Sequence, residues 1–227
     1  MEKRLKKLPV GIQIFEEIVE EGYVYVDKTR ILLRLIENGK AYFLARPRRF
    51  GKSLMLTTLE AIFMGKKELF KGLYAEAWMN RPDFVKYPVI RLTLNRITTM
   101  RGLDALNASL VKLVRDTASL LGVTVSESLS PGDLFDDLII NLYKKHNAKV
   151  VVLIDEYDKP YIDYVDDPVE AEKVRDILSN LYVRIKADDE YLRFVLLTGI
   201  SKFARLGVFS KLNNLNDISM NDKYAAL

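Results

Sequence analysis

Two hydrophobic spacings alternate along this chain. In IQIFEEIVEE (12–21) the apolar residues Ile12, Phe15, Ile18 and Val19 share one face between glutamate pairs, which predicts a short amphipathic helix stopped by Gly22. YVYVD (23–27) alternates like a strand. Thr29 to Asn38 predicts a second helix, with Ile31, Leu32, Leu35 and Ile36 on one face and Gly39 as its stop. AYFLA (41–45) reads as a strand, RPRRFGKS as the loop after it, and LMLTTLEAIFMG (54–65) as a helix. Downstream, PVIRLTL (88–94) predicts a strand, 102–122 a long amphipathic helix with a glycine stop, and 132–145 another helix. KVVVLIDE (149–156) is β-branched and continuously apolar before it ends in acids, the pattern of a parallel strand buried on both faces. Val169 to Lys186 reads as helix and LRFVLLTG (192–199) as strand. Strands alternating with helices predict an α/β fold with right-handed crossovers and a mostly parallel central sheet. Beyond Thr198, SKFARLGVF is helix-like and KLNNLNDISMNDKYAAL polar, and neither reads as a buried strand.

Composition narrows this picture. At about 150 residues per domain, 227 residues suggest one large domain or one domain with small additions. No repeat or low-complexity tract divides the chain. With 49% hydrophobic and 29% charged residues it can bury a sizeable core. The excess of 35 Lys and Arg over 31 Asp and Glu, a net +4, permits contact with phosphates without defining a nucleic-acid surface. The absence of cysteine excludes a disulfide framework, a thiolate metal site and a cysteine nucleophile. The single histidine, His146, sits in a polar KKHN stretch and reads as a helix-terminal surface residue, so histidine metal clusters and Ser-His-Asp chemistry lack their parts. The basic start has no apolar stretch behind it, and no run is long enough for a membrane span, so a cytoplasmic location is the expectation.

Candidate chemistry begins at the loop after 41–45. A phosphate-binding loop uses glycines to let backbone N–H groups approach phosphates, a lysine to reach the β/γ oxygens and a Ser or Thr hydroxyl for magnesium. Gly51, Lys52 and Ser53 match, but the spacing G-x-x-x-x-G-K-[ST] asks for glycine where this chain has Arg46. A helix start after a strand is also where an anion is favoured. Arg46, Arg48 and Arg49 either contact phosphate or keep the loop solvated. Asp155 and Glu156 supply the second element, an acid suited to a magnesium shell and one suited to polarising a water, at the carboxyl end of the buried strand. Thr198 ends a third strand and can sense a γ-phosphate; Asp158 is a candidate supporting acid or a turn residue. Tyr23, Tyr25, Phe43 and Trp78 read as packing residues.

LPVGIQIFEEI, GYVYVDKT, RPRRFGKSL, VVVLIDEYDKP, VLLTGISKF and FSKLNNLNDIS, in this order from Leu8 to Tyr224, resemble the AAA-ATPase-like domain family of bacterial and archaeal P-loop proteins. The resemblance implies a P-loop NTPase-type three-layer fold whose sensor strand lies between the phosphate-loop and acidic strands. It implies a helical lead-in over 1–40 packed on a core over 41–227, and a first loop glycine commonly replaced, as by Arg46. It implies that Arg49, Phe50, Gly51, Lys52, Ser53 and Leu54 cradle ATP, that Ser53 and Asp155 hold Mg²⁺, that Glu156 handles the water and that Thr198 occupies the sensor position. Arg205 is its weaker candidate for a charge-stabilising arginine. Relatives commonly continue into a PD-(D/E)XK nuclease-like domain, whereas Pro82-Asp83 is the only Pro-Asp pair here and no acid-x-lysine strand follows it. A truncated product, a split-gene half or a stand-alone domain are the resulting expectations, with self-association or a split nuclease-like partner, an exposed sheet edge and slow turnover. Two functions follow: a Mg²⁺-dependent ATPase or nucleotide switch, or a non-hydrolysing scaffold that binds nucleic acid or a protein partner.

Overall fold

In a computed structural model that describes residues 5–97, 102–200 and 215–227, the apolar runs at 41–45, 150–155 and 192–199 pair as a parallel sheet. Its strands are β1 (Ala41–Ala45), β2 (Val89–Thr93), β3 (Val150–Asp155), β4 (Leu192–Gly199) and β5 (Asn216–Asp217), in the order β2-β3-β4-β1-β5. Every pairing is parallel. β4 therefore lies between β1 and β3, the order expected for a strand between the phosphate-loop and acidic strands.

Alternate side chains of each strand enter opposite apolar layers, as the two-residue period of a strand requires. Val150, Val152 and Ile154 of β3 and Phe43 of β1 pack with α5 (Leu103–Leu120), α6 (Pro131–His146) and α8 (Pro168–Ala187). Val151 and Leu153, with Tyr42 and Leu44, pack against α1 (Phe15–Glu20), α2 (Thr29–Asn38), α3 (Lys52–Met64) and α4 (Ala75–Met79) on the other face. Helices on both faces explain why β3 carries no polar side chain before Asp155. Local signals set the helix ends. Ser130 caps α6 by accepting from the Asp133 N–H, with Pro131 at its first position, and Asp167 caps α8 by accepting from Val169 and Glu170.

Two expectations change. Residues 23–27 form no ladder: the Val24 N–H bonds the Lys7 carbonyl, and Tyr25 packs edge-on against Phe15 at 5.0 Å and so serves the helical layer, while Val26 stays exposed. The phosphate-loop helix begins at Lys52, so Gly51, Lys52 and Ser53 stand at a helix start, as their pattern predicts. After β4 a further strand does exist, the short polar β5, which pairs with β1 through Tyr42↔Asn216 and Phe43↔Asp217. His146 is exposed at the last residue of α6. Among the described residues no helix is long and apolar enough to cross a membrane.

Candidate functional site

The parallel register aligns the carboxyl ends of three strands, where open α/β sheets hold ligands. Ala45 pairs with Gly199 and Ile154 with Leu197, so the loop leaving β1, Asp155 at the end of β3 and Thr198 of β4 converge. The loop 46–51 then runs into α3. Gly51 precedes the helix with φ 79°, and a Cβ there would meet nothing within 4 Å, so it is the left-handed backbone and not space that selects glycine. Arg49 (φ 69°) and Glu156 (φ 53°) adopt the same region without being glycine. Such strain costs on the order of 1–3 kcal/mol per residue and is often found at functional sites.

Asp155 is the hub. It is 4% exposed, and its carboxylate accepts from Ser53 Oγ at 2.5 Å, from Thr198 Oγ1 at 2.6 Å and from the Glu156 N–H at 3.0 Å. Thr198 is fully buried and gives its hydroxyl to Asp155, so it orients that carboxylate. Lys52 folds back over its own loop, its Nζ donating to the carbonyls of Arg46 at 2.8 Å and Pro47 at 3.0 Å. Burial pushes the Lys52 ammonium down, against the opposing pull of Asp155, Asp158 and Glu156. Burial pushes the Glu156 carboxyl up, reinforced by the neighbouring Asp155 charge and opposed by Arg48 and Lys52.

Two clefts flank the loop. One, of about 770 Å³, is lined by Pro9 to Gln13 together with Arg48, Lys52, Ser53 and Glu156. The other, of about 620 Å³ and largely apolar, lies between Phe50, Tyr25 and Leu227, and Arg49, Gly51 and Leu54 border both. Of the six loop-and-helix residues expected to cradle a nucleotide, Phe50 faces only the apolar cleft. Arg48, open in the sequence between contacting phosphate and keeping the loop solvated, faces the cleft with Glu156 and Lys52. Phe43 and Trp78 pack, as expected, the former on Tyr157 and the latter on Phe84, while Tyr25 also lines the apolar cleft. Arg205 lies outside the described residues.

Asp158 was open in the sequence between a supporting acid and a turn residue, and Gly199 and Ser219 were not singled out there. Asp158 is fully buried and its Oδ2 accepts from the Ile200 N–H at 2.9 Å, which holds the exit of β4. Beside it Gly199 leaves no room for a side chain: a Cβ would lie 2.5 Å from Tyr157 Cε1 and 2.8 Å from Asp158 Oδ1. Ser219, 8% exposed, bonds the last residue of β1. Among the described residues no three His, Asp or Glu side chains gather as a metal-holding group. The oxygen pair of Ser53 and Asp155 is nevertheless the hard donor chemistry that Mg²⁺ takes when phosphates complete its shell.

The profile of the AAA-ATPase-like family, described as predicted AAA-ATPase, matches residues 9–209. The chain is also similar to a protein of Azotobacter chroococcum mcd 1, called an uncharacterized protein in the vnfD 5′ region. The two are 43% identical over 224 residues, which is 98% of this chain and 42% of that protein. The chain thus spans less than half the length of this relative.

Proposed function

The chain belongs to the AAA-ATPase-like family, and from that premise we propose that it binds ATP with Mg²⁺ at the loop between β1 and α3 and hydrolyses it. The observation that carries this reading is the 2.5 Å bond between Ser53 Oγ and Asp155 Oδ2, which joins the first turn of α3, next to Lys52, to the end of β3. Ser53 Oγ and the Asp155 carboxylate would hold magnesium, which would supply positive charge against the phosphates.

Lys52 exchanges its two carbonyl partners for phosphate oxygens, and the N–H groups at the start of α3 favour the same anion. Glu156 takes the proton of the attacking water. The water oxygen bonds the γ-phosphorus while the bridging P–O bond breaks, releasing ADP and phosphate. Its raised pKa makes Glu156 a better proton acceptor than an ordinary carboxylate. Thr198 keeps Asp155 turned towards Ser53 and acts as a positioning residue.

Calorimetric titration with ATP, with and without Mg²⁺, followed by a phosphate-release assay tests the reading. Magnesium-dependent binding followed by turnover is the expected result; absence of binding at millimolar ATP would remove it.

A further inference from the structure

We propose that Ser219 is a positioning residue for the phosphate loop, acting through Arg46, so that segment 215–227 and the nucleotide site are energetically coupled. This rests on the nucleotide-binding reading above. Arg46 stands where the phosphate-loop spacing has its first glycine, yet it is absent from the residues lining the cleft that holds Arg48, Lys52 and Glu156. Its guanidinium turns the other way. Arg46 Nη1 donates to the Ser219 carbonyl and, at 3.4 Å, to the Ala45 carbonyl.

Ser219 Oγ in turn accepts from the Ala45 N–H at 2.8 Å, two residues past the end of β5. One residue therefore holds two consecutive positions at the loop entrance. The segment that carries it is itself anchored. The Ile218 N–H bonds the Phe43 carbonyl at 2.9 Å, Asp217 Oδ1 accepts from the Ser219 N–H at 2.9 Å, and Tyr224 packs edge-on against Tyr42.

The other side of Arg46 faces the nucleotide machinery. Its N–H bonds the Gly199 carbonyl at 3.1 Å, and its carbonyl is one of the two that hold Lys52 Nζ. A glycine at this position would leave that peptide free to turn. A guanidinium tied to Ser219 by a charge-assisted bond fixes it, and with it the resting place of the Lys52 ammonium. Coupling of this kind is reciprocal: a nucleotide bound more tightly when the clasp is closed must stabilise the clasp by the same factor.

Hydrogen exchange over 215–227, measured on the whole chain with and without ATP and Mg²⁺, tests the coupling. In the unaltered protein, saturating nucleotide should slow exchange there several-fold. Arg46→Met keeps the apolar stem and loses the donors; it should abolish this response and raise the nucleotide Kd several-fold, with a nearly unchanged thermal midpoint when nucleotide is absent. Arg46→Lys should restore part of both effects, and Ser219→Ala, which keeps the carbonyl, should give an intermediate loss. These two variants also keep the test alive if Arg46→Met does not fold. A merely structural clasp would lower the midpoint of Arg46→Met and leave its affinity and exchange response alone, which would overturn the proposal. So would exchange over 215–227 that ignores nucleotide in a protein that binds it. Failure of the unaltered protein to bind nucleotide at all would instead overturn the reading beneath it.

Discussion

Lys52 and Glu156 face the same cleft with oppositely displaced proton affinities, and burial is the largest cause of both displacements. Lys52→Ala removes the ammonium that trades loop carbonyls for phosphate oxygens. Charge-assisted bonds are worth roughly 1.5–3 kcal/mol, so ATP affinity should fall about 10- to 150-fold, measured by calorimetry on a variant with an unchanged circular dichroism spectrum. Glu156→Gln keeps shape and hydrogen bonding but accepts no proton, and should bind ATP normally while turnover drops about 10²- to 10⁴-fold. The pH dependence has a definite sign. Because the Glu156 pKa is raised, its basic form fills only above the ordinary glutamate range, and turnover should climb with pH through that raised value. Because the Lys52 pKa is lowered, ATP affinity should begin to fall at a lower alkaline pH than for an exposed lysine. A turnover profile that is flat across the acid limb would detach Glu156 from the proton transfer.

At the scale of elements, the end of β4, at its last residue Gly199, tolerates little near the site. Gly199→Ala would drive a methyl group into the Tyr157 ring and Asp158 Oδ1, and neither can retreat: Tyr157 packs on Phe43 and Asp158 holds the Ile200 N–H. Overpacking of this kind costs about 1–3 kcal/mol, which urea denaturation would read as a lower midpoint with the same slope. An unchanged midpoint would mean that the strand end relaxes. The same neighbourhood separates what the sequence discloses from what it hides. Gly51, Lys52, Ser53, Asp155 and Glu156 were legible because strand, loop and helix each carry a local pattern, and the parallel order of β1, β3 and β4 then brings the patterns together. Thr198 was legible as a polar residue ending a strand, but its bond to Asp155 depends on register between strands that no local pattern encodes. β5 was invisible because two polar residues, Asn216 and Asp217, make their ladder with backbone groups alone. Tyr23 to Asp27 misled for the converse reason: alternation marks burial on one side, and here the burial is against helices. Ser219 carried no sequence pattern; it acts at the end of a 174-residue separation from Ala45.

Over the whole molecule, stability should depend on acidity through a pair far from the nucleotide cleft. Asp188, just past α8, has its pKa raised to about 7, by burial first and then by its bond and like charge with Asp136; Arg184 opposes and Glu190 adds to the rise. Among the described residues its Oδ2 finds no hydrogen-bond partner. A carboxyl raised in the folded state contributes stability that is full below its unfolded value of 3.8 and is lost as pH rises through about 7. Asp188→Asn should therefore lose less stability than the unaltered protein between pH 4 and 8, and should melt a few degrees higher at pH 8, as scanning calorimetry would show. Parallel pH curves for the two proteins would exclude the pair as the cause. The sheet order has one more consequence, for the order of events during synthesis. β1 finds its partner only at β4, so Ala41 waits for Val195, 195 − 41 = 154 residues later. At about 5–20 residues per second a ribosome needs roughly 8–30 s to cover that distance. For all of that interval the apolar β1 has neither of its neighbours, so the nascent chain presents chaperones with a sticky strand until β4 has followed it.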